Sequence, residues 1–317
     1  MVRIDVDGGV AFDHAYGMAY RALDVANSVG TQFATASGTK GFTALTVMSM
    51  VDRGELSLDT PARSVLGNDL PLIDAAVTVE HLLAHRSGIG DYLDEDAVTD
   101  WTDYVMPVPV HQLATTGQYL PVLDSHPMRC MPGEQFVYNN SGFVVLALIA
   151  ERVSGVPFHD LVEQRVCAAA GMVNTAFLRS DELPGTAALG YIFDDGLRTN
   201  VLHLPVRGSG DGGIYTTAAD MHLMWRAFWA GRIVSAATVA EMVSPRSDVP
   251  ALSMRYGLGL WLHESSDTVS IHGFDPGVGF VSVCDPTGRF THTVLSNKSR
   301  GAWPVSQQID AVLAEMI

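Results

Sequence analysis

Ser37 and Lys40 are the residues whose types and spacing first point to chemistry. They stand three positions apart at the start of an apolar stretch that has the spacing of a helix. Side chains at this separation share one face of a helix, so the two can lie within reach of each other. A serine hydroxyl becomes a nucleophile when a base removes its proton, and a neutral lysine is such a base. Taken alone, the pair also fits an exposed serine beside a solvated lysine.

The helix that carries this pair is the first element that the sequence must provide. Phe42, Leu45 and Met48 leave an apolar face, and Gly54 stands just past the predicted end. The amino terminus of a helix favours this chemistry, because its dipole disfavours a charged amine and its free N–H groups can bind an oxyanion. We therefore expect Ser37 in the first turn of a long apolar helix.

The rest of the chain predicts a sheet made from both chain ends. Residues 2–6 and 10–20 read as a hairpin, and strands joined by tight turns follow over 256–263, 267–272, 278–284 and 290–295. Strands joined by short turns pair antiparallel. The predicted fold class is α/β (α+β), an antiparallel sheet flanked by helices and built from both chain ends, with a mostly helical inserted domain. We expect the sheet domain over 1–60 and 206–317, the helical domain over 61–205, and the active site in the cleft between them.

Several helices are expected to support this arrangement. Thr78 is a predicted N-cap for a helix over 79–85, and Thr217 opens a helix that runs to about residue 230. Further helices are predicted over 111–118, 142–154 and 305–316. The glycine-rich segment 208–213 lacks the Lys-Ser/Thr ending of a phosphate-binding loop, so we expect it to line the site or to act as a hinge. The acidic and aromatic loop 91–104 either rims the cleft or is a solvated loop with Trp101 packed beneath it.

Composition and charge exclude other classes of protein. The chain has 317 residues, of which 47% are hydrophobic and 17% charged, and its formal net charge is −16. This balance argues against a nucleic-acid partner and against a polybasic membrane anchor, which both need clustered Lys and Arg. The longest strongly apolar run, 143–150, is too short to span a bilayer. The three cysteines are far apart and show neither metal-ligand spacing nor a disulfide framework.

Four short motifs in order carry a resemblance to a known family. They are the Ser37-x-x-Lys40 pair, LLAHRSGI over 82–89, PGEQFVYNNSG over 132–142, and His272-Gly273 followed by DPG over 275–277. The set resembles the serine β-lactamase and penicillin-binding-protein superfamily. Its class C-like branch, with D-aminopeptidases, DD-carboxypeptidases, family VIII esterases and related acyltransferases, is the most similar. The resemblance covers nearly the whole chain and implies the β-lactamase/transpeptidase-like fold.

The resemblance implies a role for each matched residue. Ser37 is expected to be the nucleophile that forms an acyl-enzyme, and Lys40 to activate it with a lowered pKa. Tyr138 is expected to shuttle the proton, as base in acylation and then as acid toward the leaving group. Asn140 is expected to bind an acyl-side amide of the substrate and to fix Lys40. A buried tyrosine with a satisfied hydroxyl is the alternative for Tyr138.

The third motif departs from the family pattern His/Lys-x-Gly. His272 stands where many relatives have lysine, and it is expected to bind a substrate carboxylate or to tune the catalytic tyrosine. Phe274 occupies the position where the pattern has glycine. The strand that follows His272 is expected to supply one backbone N–H to the oxyanion hole. A register shift of one residue assigns this N–H to either Phe274 or Asp275. We expect His272, Gly273, Phe274 and Asp275 to bind substrate.

Neither a metal nor an organic cofactor is expected. His81 and His85 have the i, i+4 spacing of a helical zinc site, but the glutamate of a His-Glu-x-x-His motif and a third ligand are missing. In the resembling family His85 is part of a structural turn. The expected partner is a small-molecule or peptide substrate, for example a D-amino-acid peptide, an ester or a β-lactam, and the oligomeric state is left open.

The first residues contain no basic region followed by an apolar run, so the sequence as written predicts a cytoplasmic protein. Relatives usually begin with a helix and a full strand ahead of the region that matches Val10. If the true start lies upstream, an export signal would lie there too.

We therefore expect a serine hydrolase that forms an acyl-enzyme at Ser37 on an amide, ester or β-lactam carbonyl, as a peptidase or esterase of the penicillin-binding type. A β-lactamase or an acyltransferase on the same fold is the first alternative. A non-catalytic ligand-binding member is the alternative of another class, and the intact Ser37, Lys40 and Tyr138 argue against it.

Overall fold

An eight-stranded antiparallel sheet joins the two ends of the chain in this computed structural model, which describes residues 1–93, 95, 98, 100–102 and 105–316. In spatial order its strands are β2 (Gly9–His14), β1 (Val2–Val6), β12 (Phe290–Ser296), β11 (Val278–Cys284), β10 (Val269–Asp275), β9 (Trp261–His263), β8 (Met254–Tyr256) and β7 (Ser247–Val249). Strands β1 and β12 pair directly, with Val2 opposite Val294. The predicted fold class is therefore confirmed.

Two small strand pairs complete the β structure of the described residues. They are β3 (Met18–Tyr20) with β4 (Val25–Ala26), and β5 (Phe33–Ala34) with β6 (Tyr215–Thr216). The prediction of one strand over 10–20 is wrong, because β2 ends at His14 and β3 starts at Met18. Gly17 lies between them with a φ of 72°, which extended backbone does not adopt.

The described part of the chain contains ten α-helices. They are α1 (Thr39–Asp52), α2 (Ala62–Leu66), α3 (Val79–Leu83), α4 (Leu120–Leu123), α5 (Asn140–Ser154), α6 (Phe158–Val162), α7 (Ala168–Ala170), α8 (Ala218–Trp229), α9 (Ala236–Met242) and α10 (Trp303–Met316). A π-helical turn, Glu163–Cys167, joins α6 to α7. All twelve described strands lie outside 61–205, whereas α2 to α7 lie within it. The exact domain boundaries stay a prediction.

The ends of two helices follow from their capping residues. The Thr78 hydroxyl accepts a hydrogen bond from His81 N at 3.3 Å and starts α3, and the Thr217 hydroxyl accepts one from Asp220 N at 3.1 Å and starts α8. The helix predicted over 111–118 is wrong. Two 3₁₀ turns stand there instead, Val110–Gln112 and Thr116–Tyr119. The cause is that two backbone oxygens which a helix would use internally accept hydrogen bonds from a distant segment. Val110 O accepts from Val206 N, and Leu113 O accepts from Arg207 N.

Helices cover the two faces of the sheet. On one face α1 packs against β10, where Gly41 leaves room for the Ile271 side chain. On the other face α10 places Ile309 and Leu313 in an apolar cluster with Val281 of β11. Among the described helices, none is long and apolar enough by itself to cross a membrane; only the pair Asn140–Ser154 and Phe158–Ala170, bent by 86°, reaches that length and composition together.

Candidate active site

Ser37 lies in a tight turn that the surrounding backbone holds in place. The turn is a 3₁₀ helix over Ala36–Gly38, directly before α1. Ser37 was expected inside the first turn of α1, so that prediction is wrong by one element. Gly38 N donates to Thr35 O at 2.9 Å, and Thr35 N donates to Ile214 O at 3.0 Å. Ala36 has a φ of 47°, a left-handed conformation that is strained for a residue with a side chain. Such strain is typical of functional sites.

Lys40 reaches back to Ser37 from the first turn of α1. Its Nζ lies 2.9 Å from Ser37 Oγ, 2.7 Å from Asn140 Oδ1 and 3.0 Å from the backbone oxygen of Asp211. Burial lowers the pKa of the Lys40 amine, although the Asp211 and Glu95 carboxylates act in the opposite direction. A neutral amine has two N–H donors and one lone pair. It can donate to the Asn140 and Asp211 oxygens and direct the lone pair at the Ser37 hydroxyl.

Tyr138 approaches Ser37 from the helical side of the cleft. Its ring centre lies 4.9 Å from Lys40 Nζ, and Ser37 is the hydrogen-bonding neighbour that acts to lower the pKa of its phenol. Burial, and then the negative charge of Glu95, raise the pKa of the Tyr138 phenol well above its ordinary value. The phenol therefore keeps its proton and can donate it. The hydrogen-bonding neighbour of the hydroxyl is the candidate nucleophile, which supports the catalytic role over the structural one.

Asn140 occupies the first position of α5 and joins Lys40 to the acidic loop. Its Oδ1 accepts from Lys40, and its Nδ2 donates to Glu95 Oε1 at 3.0 Å. The Asp91 carboxylate accepts from the backbone N–H groups of Asn140 at 2.7 Å and Ser141 at 2.9 Å, as anions do at helix amino termini. Asp91 and Glu95 were not assigned roles from the sequence, although the acidic loop 91–104 was their signal.

The same loop reaches the rim of the cleft. The Trp101 ring lies 5.8 Å from the Phe274 ring in an edge-to-face arrangement, which favours the rim over a position beneath the loop. Positions 94, 96, 97, 99, 103 and 104 of the predicted loop lie outside the described residues.

Gly273 fixes the register of the third motif. A Cβ atom at this position would overlap the Thr35 carbonyl and stand 2.9 Å from Gly38 N, so only glycine fits against the Ser37 turn. When the His/Lys-x-Gly pattern is aligned on Gly273, its first position holds Ile271 rather than His272. Phe274 then follows the glycine instead of replacing it.

His272 lies on the other face of β10 from Gly273, because neighbouring residues of a strand alternate. Its ring stands 4.6 Å from Trp303 of α10 and 6.0 Å from Trp261. Burial lowers the pKa of the imidazole to about 3. The ring lines the cleft but is neutral, so it has no positive charge to offer a substrate carboxylate.

The backbone of β10 presents an N–H group to the cleft. Strand β9 pairs with β10 only at Val269 and Ser270, and His263 N donates to Thr268 O at 3.0 Å. This bond sets the alternation: the even-numbered residues of β10 point their N–H and C=O groups toward β9, and the odd-numbered residues point theirs toward β11. The N–H of Phe274 therefore faces the open edge beyond β9. Of the two candidate oxyanion donors, the register favours Phe274 over Asp275.

Two pockets meet at Ser37. The first, called here the tyrosine pocket, has an aromatic wall made by Phe136, Tyr138, Trp261, His272, Phe274 and Trp303. The second, called here the carboxyl pocket, contains Asp211 and Asp275 between the apolar side chains of Ala34, Leu93, Met106, Leu178, Leu204 and Val278. The glycine-rich segment lines the second pocket through Gly208, Gly212 and Gly213, one of its two predicted roles.

The histidine pair His81 and His85 has hydrogen-bonding partners that explain its spacing. Thr78 N donates to His81 Nδ1 at 3.3 Å, and Asn139 N donates to His85 Nδ1 at 3.1 Å. Within the described ranges, no group of three or more His, Cys, Asp or Glu side chains is arranged to hold a metal ion.

Comparison with known proteins relates nearly the whole chain to one family. A family model described as Beta-lactamase matches residues 2–315. The crystal structure of a penicillin-binding protein from Bacillus halodurans has a TM-score of 0.92 and 36% identity, covering 98% of this chain and 95% of that one. Penicillin-binding protein 4* of Bacillus subtilis is 26% identical over 92% of this chain and 66% of its own length. Esterase EstB of Burkholderia gladioli is 30% identical over 55% of this chain and 45% of its own.

The chain thus spans about two thirds of penicillin-binding protein 4* and less than half of EstB. These relatives carry the names of a penicillin-binding protein and an esterase, and one fold can host different functions. Because the match runs through 2–315 of 317 residues, the chain belongs to the β-lactamase family, which is made up of serine hydrolases.

Proposed function

We propose that this protein is a peptidase or esterase that forms an acyl-enzyme at Ser37 on an amide or ester carbonyl. The observation that carries the proposal is the 2.9 Å contact between Lys40 Nζ and Ser37 Oγ, made by a buried amine whose pKa is lowered. A base at this distance can take the hydroxyl proton as the serine attacks.

In acylation, Ser37 Oγ bonds to the substrate carbonyl carbon while its proton passes to Lys40. The carbonyl oxygen becomes an oxyanion, which the backbone N–H groups of Ser37 and Phe274 stabilise. Tyr138 gives its hydroxyl proton to the leaving nitrogen or oxygen as the bond to the carbonyl carbon breaks. Lys40 returns a proton to Tyr138, so that both groups are again neutral.

In deacylation, a water molecule attacks the ester carbon and passes a proton to the neutral Lys40 amine. The bond between the carbonyl carbon and Ser37 Oγ breaks, Oγ regains its proton, and a carboxylic acid leaves. An acyltransferase would differ only in using another hydroxyl or amine in place of water. The high pKa of the Tyr138 phenol supports its role as acid, so the removal of the serine proton falls mainly to Lys40.

The third motif supports a peptidase or esterase over a dedicated β-lactamase. A β-lactam carries a carboxylate that needs a nearby positive charge or several hydrogen-bond donors. Ile271 is apolar and the His272 ring is neutral, so these two positions supply no positive charge. Arg129 also lines the tyrosine pocket, so this argument concerns the third motif alone.

Mass spectrometry of the intact protein after reaction with a fluorophosphonate tests this proposal. We expect one adduct on the wild type and on Ser57→Ala, an exposed serine away from the cleft, and none on Ser37→Ala. A fluorescent penicillin is the second reagent, and we expect it to label slowly. The absence of any fluorophosphonate adduct, or an adduct that persists in Ser37→Ala, would overturn the proposal in favour of a non-catalytic binding protein.

A further inference from the structure

The carboxyl pocket has a polar wall that the proposed mechanism does not use. Tyr138 must touch the leaving atom to protonate it, so the leaving group lies in the tyrosine pocket and the acyl group extends into the carboxyl pocket. This assignment rests on the proposed function. The polar wall, called here the distal wall, consists of Ser180, Asn200 and His203. None of its described hydrogen bonds involves a catalytic side chain.

The His203 side chain has an acceptor atom without a partner. The residue is only 7% exposed, and its Nε2 lies 3.0 Å from Thr102 O. A carbonyl oxygen only accepts hydrogen bonds, so Nε2 carries the proton of the neutral ring and Nδ1 has the free lone pair. Nδ1 is shielded from water and has no hydrogen-bonding partner among the described residues. A buried polar atom in this state is costly, and a ligand that donates to it offsets the cost.

The Ser180 hydroxyl is a second polar atom of the distal wall without a partner. Ser180 N donates to Val206 O at 2.7 Å, which fixes the serine backbone beside the segment that follows His203. Its Oγ is shielded from water and, within the described part of the chain, forms no hydrogen bond. A hydroxyl both donates and accepts, and this one can turn about its Cα–Cβ bond toward a bound group. The distal wall therefore offers one acceptor and one adaptable hydroxyl.

Hydrogen bonds hold the distal wall in place. Asn200 Nδ2 donates to Pro276 O at 2.9 Å, directly after β10, and His203 N donates to Asn200 O at 2.8 Å. Val206 N donates to Val110 O at 3.0 Å. The backbone of the wall is thus ordered before a ligand binds, which lowers the entropic cost of binding.

The charges around the distal wall favour a neutral ligand group. Arg198 Nη2 lies 3.2 Å from His203 Nε2, so a cation bound at the wall meets a positive charge. The Nδ1 lone pair repels a carboxylate, and Asp211 and Asp275 in the same pocket supply no positive charge to hold one. A hydroxyl or a primary carboxamide is neutral and has both the donor that His203 needs and an acceptor for Ser180.

We propose that the distal wall binds a neutral hydrogen-bonding group at the end of the acyl chain, a hydroxyl or a primary carboxamide that donates to His203 Nδ1 and accepts from Ser180 Oγ. The substrates are then amides or esters of acids that carry such a group at the far end of an apolar chain. Leu204, Val206 and Val278 line the same pocket and accommodate the chain. The competing occupant of the wall is a water molecule that bridges the two atoms, in which case the end of the acyl chain makes no difference.

Ethyl esters with three kinds of chain end test this proposal: a primary carboxamide, an isopropyl group of the same shape, and a carboxylate. Each end is placed on acyl chains of two to five methylene groups, so that the series finds the length that reaches the wall. For the wild type we expect one length at which kcat/KM for the carboxamide is about tenfold or more above that for isopropyl, with the carboxylate lowest. Proton release in a pH-stat measures the hydrolysis.

Two substitutions in the distal wall should reduce this preference. His203→Gln keeps an N–H for Thr102 O but has no acceptor at the place of Nδ1, and we expect it to lower the carboxamide-to-isopropyl ratio about tenfold. Ser180→Ala removes the hydroxyl and should lower the ratio about threefold. His111→Gln is the matched control, because His111 is exposed and lines neither pocket. It should keep the wild-type ratio.

The outcomes separate this inference from the proposed function. A wild-type ratio near one at every chain length, or a ratio that survives both His203→Gln and Ser180→Ala, would overturn the inference and leave the water molecule as the occupant. The proposed hydrolase stands in that case, as long as the isopropyl chains react at Ser37. If no ester is hydrolysed although a fluorophosphonate labels Ser37, the inference alone is wrong. Failure of every ester together with an unlabelled Ser37 would overturn both.

Discussion

His85 Nδ1 accepts a hydrogen bond from the backbone N–H of Asn139 at 3.1 Å. The His85 carbonyl also accepts from Val137 N at 2.8 Å, so this residue holds the chain on both sides of Tyr138. The centres of the His85 and Tyr138 rings lie 4.4 Å apart. Burial, with a smaller effect of Lys40, keeps the pKa of His85 well below its ordinary value, so the ring is neutral and carries its proton on Nε2. His85 is a positioning residue for Tyr138.

Replacing His85 tests this relationship. His85→Ala leaves the buried Asn139 N–H without a partner, which costs about 1–3 kcal/mol of unfolding free energy, and it frees the Tyr138 ring, so kcat should fall more than KM changes. His85→Asn should recover part of both losses, because asparagine tolerates the φ of 54° at this position and can accept a hydrogen bond. Urea unfolding and steady-state kinetics measure the two effects.

His81→Ala is the control for this experiment. His81 lies one helical turn before His85 and accepts from Thr78 N, with no ring contact to Tyr138 among the described residues. It should lower stability and leave kcat near wild type. If His85→Ala loses stability with an unchanged kcat, the positioning role is wrong.

The ionisation of Lys40 should appear in the pH profile. The reaction needs the neutral amine, and burial lowers the Lys40 pKa below its ordinary 10.5. Therefore kcat/KM should rise as the pH increases through the lowered pKa and should level off above it. Lys40→Arg keeps a positive charge at every accessible pH and cannot accept the proton. It should lose at least 10²-fold in kcat, as Lys40→Ala should. Near-wild-type turnover in either variant would refute Lys40 as the base.

Ser37, Lys40 and Tyr138 should behave as one unit in double mutants. Ser37→Ala, Lys40→Ala and Tyr138→Phe should each remove most of the activity, and any two together should add little to the larger single loss. The reason is that each proton transfer involves two of the three groups. Single-turnover rates measure this coupling. Losses that multiply would mean that the three side chains act independently.

Sequence reasoning worked best where the site is local. Ser37 and Lys40, and likewise Tyr138 and Asn140, lie within three residues of each other, so their spacing alone places them on neighbouring surfaces. The structure brings these four side chains together around Lys40 Nζ. The sheet from both chain ends was also predictable, because short turns force antiparallel pairing.

The third motif was less predictable, because its register depends on a contact between distant segments. Which residue of β10 must be glycine is decided by Thr35, more than 230 positions away along the chain. Asp211 was missed as a partner of Lys40 for a related reason: it contributes a backbone oxygen, which carries no sequence signal. The false helix over 111–118 also failed because remote N–H groups take its carbonyls.

The contact of Gly273 with the Ser37 turn predicts a sharp effect of one methyl group. In Gly273→Ala, the new Cβ would meet the Thr35 carbonyl, so β10 and the turn must move apart. The distance from Phe274 N–H to the oxyanion then increases, and loss of one such donor costs about 10²–10³-fold in kcat. Gly117→Ala is the control, because a Cβ at exposed Gly117 meets nothing within 4 Å. A Gly273→Ala variant with wild-type kcat would contradict the register assigned to the third motif.

His159 should make the protein less stable in acid. Its Nε2 lies 2.8 Å from Gly208 O, its ring packs 4.5 Å from Phe177, and burial lowers its pKa to about 4. The unfolded chain, with an ordinary pKa near 6.5, binds the proton first, so stability falls as the pH drops from 6.5 toward 4. By pH 5 the loss from this residue is about 2 kcal/mol.

His159→Gln isolates this contribution. Glutamine can donate to the Gly208 carbonyl but does not titrate, so its unfolding free energy should decline less steeply between pH 6.5 and 4 than that of the wild type. The difference in slope should correspond to about one proton. At pH 7.5, where the wild-type ring is neutral in both states, the two proteins should differ only by a constant offset, which serves as the internal control. Parallel curves over the whole acid range would show that His159 takes up its proton as readily in the folded protein as in the unfolded chain.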